Sequence, residues 1–195
     1  MRSEIIQVTS EGAGVEEALS QAERVAAYKG LPGKNAMQLR LLAEEMMGLM
    51  QAMAGNHDAD FWIDDDKNTY KLHLSMPVIM NADMRQRLLA LSSSGKNAAA
   101  KGVMGKIRSL MERMTEPVSA DLALDYAAGL NFSAGAASSQ LGSLWSFNRY
   151  KASLGEKAET EEWDELEKSV VGKLADEVEI AIADNTAELI IYKAF

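Results

Sequence analysis

The chain has 195 residues, 20 Lys+Arg against 29 Asp+Glu for a formal net charge of −9, and no cysteine. An acidic surface repels a phosphate backbone, which argues against general nucleic-acid binding. The lack of cysteine excludes disulfides, thiolate metal sites and cysteine nucleophiles, and a hydrophobic content of 47% is ample for a core.

The N-terminal stretch Met1–Gln7 has no apolar run of signal-peptide length. The longest uncharged stretch, Tyr126 to Asn148, is too rich in Ser, Gly, Asn and Gln to sit in lipid. A cytoplasmic protein is expected. Glu4–Val8 is a short β-type run, stopped by Thr9-Ser10 and by Gly12 and Gly14. Val15, Leu19, Ala22, Val25 and Ala26 then recur at helical spacing up to Gly30 and Pro32. A second helix is expected over 36–54, with Leu39, Leu42, Met46, Leu49, Met50 and Met53 in one apolar stripe. Glu44 points to solvent and Glu45 lies at the rim of that stripe, one turn before Leu49.

Two strands, Phe61–Ile63 and Thr69–Met76, flank the polar cluster Asp64–Asn68. Tyr70, Leu72, Leu74 and Met76 alternate with Lys71, His73 and Ser75, as a sheet with one buried face demands. The aspartates lack the Gly and terminal Glu of a calcium loop, so Asp64–Asn68 reads as a solvated hairpin turn. His73 falls on the exposed phase, and His57 reads as a cation capping the end of the second helix.

Beyond Pro77 the chain reads as mostly helical. The helical segments are Met84–Leu91, Ala99–Met114, a helix after the candidate N-cap Ser119, and Leu141–Leu154 with Leu141, Leu144 and Trp145 inward. The stretch 131–139 is a Gly/Ala/Ser loop. A last helix from Thr160 buries Trp163, Leu166, Val170 and Leu174, and its acidic face 159–167 reads as a solvated surface, with attraction to a basic partner helix as the functional alternative. A hairpin closes the chain, Val178–Ile182 and Glu188–Tyr192.

The order β, α, α, hairpin, variable helical middle, helix, hairpin resembles the histidine-kinase-type ATPases (the GHKL superfamily), most closely the anti-sigma-factor serine kinases. The likeness is carried by the N-terminal strand and helix up to Gly30-Leu31, by Leu39–Glu45, and by Asp176–Ile180 running into Leu189–Phe195. It implies a single domain over 1–195. The fold class is α+β, a Bergerat-like two-layer α/β sandwich: a mixed, largely antiparallel sheet, helices on one face, and a helical insert over roughly 77–158.

In that family the second helix offers a Glu and, four residues later, an Asn that helps hold Mg²⁺ against the nucleotide phosphates. Residues i and i+4 share a helical face, which is why both reach one phosphate. Here Glu45 matches the Glu, and the Asn position is Leu49. The family's Asp-x-Gly-x-Gly adenine reader falls on Met76–Asn81, which has neither glycine nor carboxylate. A Gly-rich phosphate lid has one candidate, Gly102 and Gly105 with Lys106, and Ser92–Lys96 upstream. The same glycines serve equally as a helix-packing site.

Two of the three motifs that would position Mg²⁺ and phosphate are therefore unmatched. The leading expectation is a degenerate ATPase-like domain that binds a regulatory protein, sigma-factor-like or anti-sigma-antagonist-like, with no cofactor and no metal. The alternative is an active ATP/Mg-dependent serine/threonine kinase with displaced motifs, using Glu45 as the base or magnesium-positioning group and Gly102, Gly105 and Lys106 as the phosphate cradle. A third reading is a sensor holding an apolar small molecule in a Met-lined cavity. No membrane partner is implied, and a homodimer is left open.

Overall fold

The structure, a computed structural model, describes residues 1–53, 56–77, 107, 108, 111, 145–155, 169–183 and 186–195. Its elements in chain order are β1 (Ile6–Thr9), α1 (Val15–Tyr28), α2 (Gly33–Ala52), β2 (Asp58–Asp66), β3 (Thr69–Pro77) and β4 (Trp145–Ser146). They continue with α3 (Phe147–Gly155), α4 (Val170–Leu174), β5 (Glu177–Ala183) and β6 (Thr186–Ala194).

Among the described residues six strands form one sheet in the order β1-β2-β3-β6-β5-β4. Every pairing among them is antiparallel, which corrects the expectation of a mixed sheet. The physical reason lies in connectivity. Each hairpin keeps its own two strands adjacent, and β6 docks beside β3 in the opposite sense.

Strand period turns that register into two chemically distinct faces. Ile6, Phe61, Leu74, Leu189 and Ile180 lie in one cross-strand row and are each no more than 4% exposed. This apolar face packs under α1 and α2, whose Ala22, Val25, Leu42, Met46 and Met50 join it in a common core. The result is an α+β protein with helices against one face of an antiparallel sheet. The adjacent row, Trp62, His73, Ile190, Glu179 and Ser146, belongs to the other face.

The expected stripe of α2 is buried throughout, and Met47 widens it. Met46, Met47, Met50 and Met53 are at most 5% exposed, so they fill the core and do not line an open groove. The helix starts earlier than expected, at Gly33, because Pro32 in an extended conformation supplies its N-cap. The residue at its C-cap is Met53, whose N–H returns to the Met50 carbonyl. Beyond that end, the His57 backbone N–H donates to Ser10 Oγ at 3.0 Å and its carbonyl accepts from Ser10 N, extending the β1–β2 pairing.

Several expectations shift along the chain. β2 runs through Asp64, Asp65 and Asp66, and the turn shrinks to Lys67-Asn68, with Lys67 at φ 57°. Asp64–Asn68 is thus not a solvated turn: Asp65 is 8% exposed and points to the helix side. Trp145-Ser146 is an edge strand against Ile180 and Glu179, not part of a helix, which begins at Phe147. The helix containing Val170 and Leu174 starts at Ser169, which is extended and accepts from Gly172 N, so it is a separate helix of five residues. The expected segments 84–91, 131–139 and 160–168, and most of 99–114, lie outside the described residues, although Ile107 and Met111 are buried in the core. No helix among the described residues is long and apolar enough to cross a membrane.

Candidate functional site

Glu45 projects from the rim of α2 and is half-buried. Burial pushes its carboxyl above the ordinary range, and the charge of neighbouring Glu44 adds to the effect. Leu49, one turn on, is 4% exposed within the apolar core. The magnesium-bearing position of the resemblance is therefore a packed hydrocarbon, and it offers no oxygen to a cation. Gly102, Gly105 and Lys106 lie outside the described residues. Among the described residues, no group of three or more His, Cys, Asp or Glu is placed to hold a metal ion.

A second constellation was not expected from the sequence. His73 is 7% exposed on the non-helical face, not a solvent-facing sheet residue. It stacks on Trp62 with ring centroids 4.7 Å apart and planes 7° from parallel. Its Nδ1 lies 2.8 Å from Glu188 Oε1, and its Nε2 is 3.5 Å from Asp64 Oδ2. Trp62 Nε1 donates to Asp64 Oδ2 at 3.2 Å, and the Arg2 guanidinium donates to the same carboxylate while covering the Trp62 ring at 5.0 Å. Burial would raise the Asp64 carboxyl, but the bonds from Arg2 and Trp62 and the charges of Arg2 and His73 outweigh it and hold it below the ordinary range.

The cluster welds β2, β3 and β6 together. Its carboxylates are already engaged by Arg2, Trp62 and His73, so it reads as cross-strand cement before it reads as a catalyst. The signal that exposes it is the two-residue turn, because that turn sets Trp62 opposite His73. On the same face Tyr192 donates to Glu179 Oε2 at 2.7 Å. Burial, then that bond and the surrounding glutamates, drives its hydroxyl far above the ordinary phenol range.

A third charged group faces the helices. Asp65 accepts from Lys29 Nζ and lies 3.3 Å from the Met1 amino group. These bonds and charges overcome a burial penalty that alone would raise its carboxyl, and the net shift is downward. The group ties the C-terminal end of α1 to the hairpin, a structural duty.

Fold and geometry together define an α+β protein with helices on one face of its sheet, whose α2 rim carries a perturbed glutamate beside the apolar core. No family model matches the chain, and no curated protein or solved structure matches it either.

Proposed function

We propose that the chain is a degenerate relative of the histidine-kinase-type ATPases that works by binding a regulatory protein, not by transferring phosphate. The reading is supported by the order of elements, strand, two helices, hairpin, then a final helix and hairpin. The observation that carries it is Leu49. Where the resemblance calls for a magnesium-binding amide, the side chain is 4% exposed and built into the core. The described residues at this position do not fit Mg²⁺, so no step is routed through a metal–nucleotide complex. The raised carboxyl of Glu45 suits a proton acceptor, and Leu49 one turn on offers no ligand to a cation. The partner is a sigma-factor-like or antagonist-like protein.

Calorimetric titration with ATP and with ADP, each with magnesium, tests this on the wild-type chain and on Glu45→Gln in parallel. Silence at about millimolar nucleotide is the expected result. Binding at about micromolar strength that Glu45→Gln weakens would overturn the proposal in favour of an active kinase. Calorimetric binding that leaves Glu45→Gln unaffected would overturn it equally, by revealing a nucleotide site elsewhere in the chain.

A further inference from the structure

The first five residues run beside β2 but do not continue β1 in register. Ile6 stands opposite Phe61, whereas Arg2 bridges to Asp64, so four residue steps on one side face three on the other. The extra residue makes a bulge, which leaves the Glu4 carbonyl to a side chain. Gln21 of α1 takes it. Its buried amide donates to the Glu4 carbonyl at 2.6 Å and to Ser3 Oγ at 2.7 Å.

The other ties of this segment are also polar. Ser3 N donates to the Ile63 carbonyl at 2.9 Å, and Ile63 N returns to Ser3 Oγ at 2.8 Å. Asp65 N donates to the Met1 carbonyl at 2.8 Å, and the Met1 amino group lies 3.3 Å from Asp65 Oδ1. Arg2 pairs with Asp64 at 3.1 Å and covers the Trp62 ring. Hydrophobic burial adds little. Met1 and Ile5 are 57% and 53% exposed, whereas Ile6 and Val8, just beyond, are 4% and 0%. A segment that buries so little apolar surface opens below the free energy of global unfolding.

We infer that residues 1–5 form a strap that opens as one unit about a hinge between Ile5 and Ile6, while the rest of the sheet stays paired. Opening bares the backbone N–H and C=O groups of Ile63 and Asp65, a strand edge on which an extended segment of another chain can pair. It also withdraws Arg2 from Trp62, a ring 9% exposed that lies outside the helix-side core cluster. Gln21 is the latch, because it holds Ser3 and Glu4 together from a helix that remains in place. None of these residues belongs to the ATPase motifs, so the strap opens or stays shut whatever becomes of that resemblance.

Amide hydrogen exchange of the full chain, read residue by residue by NMR, tests this. Asp65 N–H is the reporter, because its acceptor is the Met1 carbonyl and not a group that Gln21 touches. Ile63 and Asp65 are expected to exchange through one common opening, faster than Leu72 and Leu74 of the central strand β3. Gln21→Met, which keeps the bulk but has no donor, should speed both by about tenfold and leave Leu72 and Leu74 unchanged. Arg2→Met should speed both by about two- to fivefold. Asp65 exchanging no faster than Leu72 would overturn the inference. An effect of Gln21→Met confined to Ile63 would overturn it too, since the contacts would then break separately. If Gln21→Met destabilises the whole fold, Arg2→Met decides, and Ile63 and Asp65 that fail to quicken together there count against the strap.

Discussion

Replacing Leu49 by Asn restores the residue that the ATPase resemblance calls for and places it in a position the structure has filled with hydrocarbon. Leu49 is 4% exposed. Losing its burial costs about 2–3 kcal/mol, and an amide placed there without partners costs a further ~1–3 kcal/mol. The expected destabilisation is about 3–6 kcal/mol, a large part of the roughly 5–15 kcal/mol that holds a typical domain together. With a urea slope of about 2 kcal/mol per molar, the midpoint should fall by about 1.5–3 M. Equilibrium unfolding in urea, followed by far-ultraviolet circular dichroism, measures it. Leu49→Met, which conserves volume, should cost less than about 1.5 kcal/mol, and Glu45→Gln at the rim should stay within about 0.5 kcal/mol. A midpoint shift below about 0.5 M for Leu49→Asn would refute the reasoning, because an amide so easily housed must face water or a polar groove. Recovery of magnesium–nucleotide binding in that variant would refute it more decisively still.

Two further tests address the scaffold. Gly14 has φ 73° and no room for a Cβ against Gln7, so Gly14→Ala should lower stability by more than about 2 kcal/mol; Gly48, in α2 with open space beside it, should give a gain of about 0.5–1 kcal/mol as Gly48→Ala, and thermal unfolding of the two variants should move in opposite directions. The Asp65 carboxyl titrates below its ordinary range in the folded chain, so its stabilisation is complete above the unfolded value and is lost as pH falls through the folded one. Asp65→Asn should therefore flatten the loss of stability that the wild type shows below about pH 4, and an acid limb unchanged by the substitution would show that the pair with Lys29 contributes nothing.

Much of the scaffold was legible before any coordinates, because it rests on local periodicity. The stripe through Leu39, Leu42, Met46 and Met50 can be buried only as one helix face, and the alternation from Tyr70 to Met76 only as a strand. Glu45 was correctly placed at a rim for the same reason. What failed locally failed where a distant partner overrides composition. Asp64–Asn68 has turn chemistry by content, yet Arg2 and Lys29 supply partners that let Asp64 and Asp65 remain in a strand. Trp145 carries helix-compatible neighbours, but Ile180 and Glu179 draw it and Ser146 into the sheet edge.

The amino-acid sequence by itself determined the class of elements, their order and the apolar face each must bury, since those depend on side chains a few residues apart. Tertiary structure alone decided that His73 is buried between Trp62 and Glu188, although alternation assigns it to the exposed phase. Glu188 lies 115 positions away in the chain and becomes a neighbour only through the β3–β6 register. A hydrogen-bonded carboxylate and a stacked ring compensate an imidazole for the water it gives up, and periodicity along one strand carries no record of either.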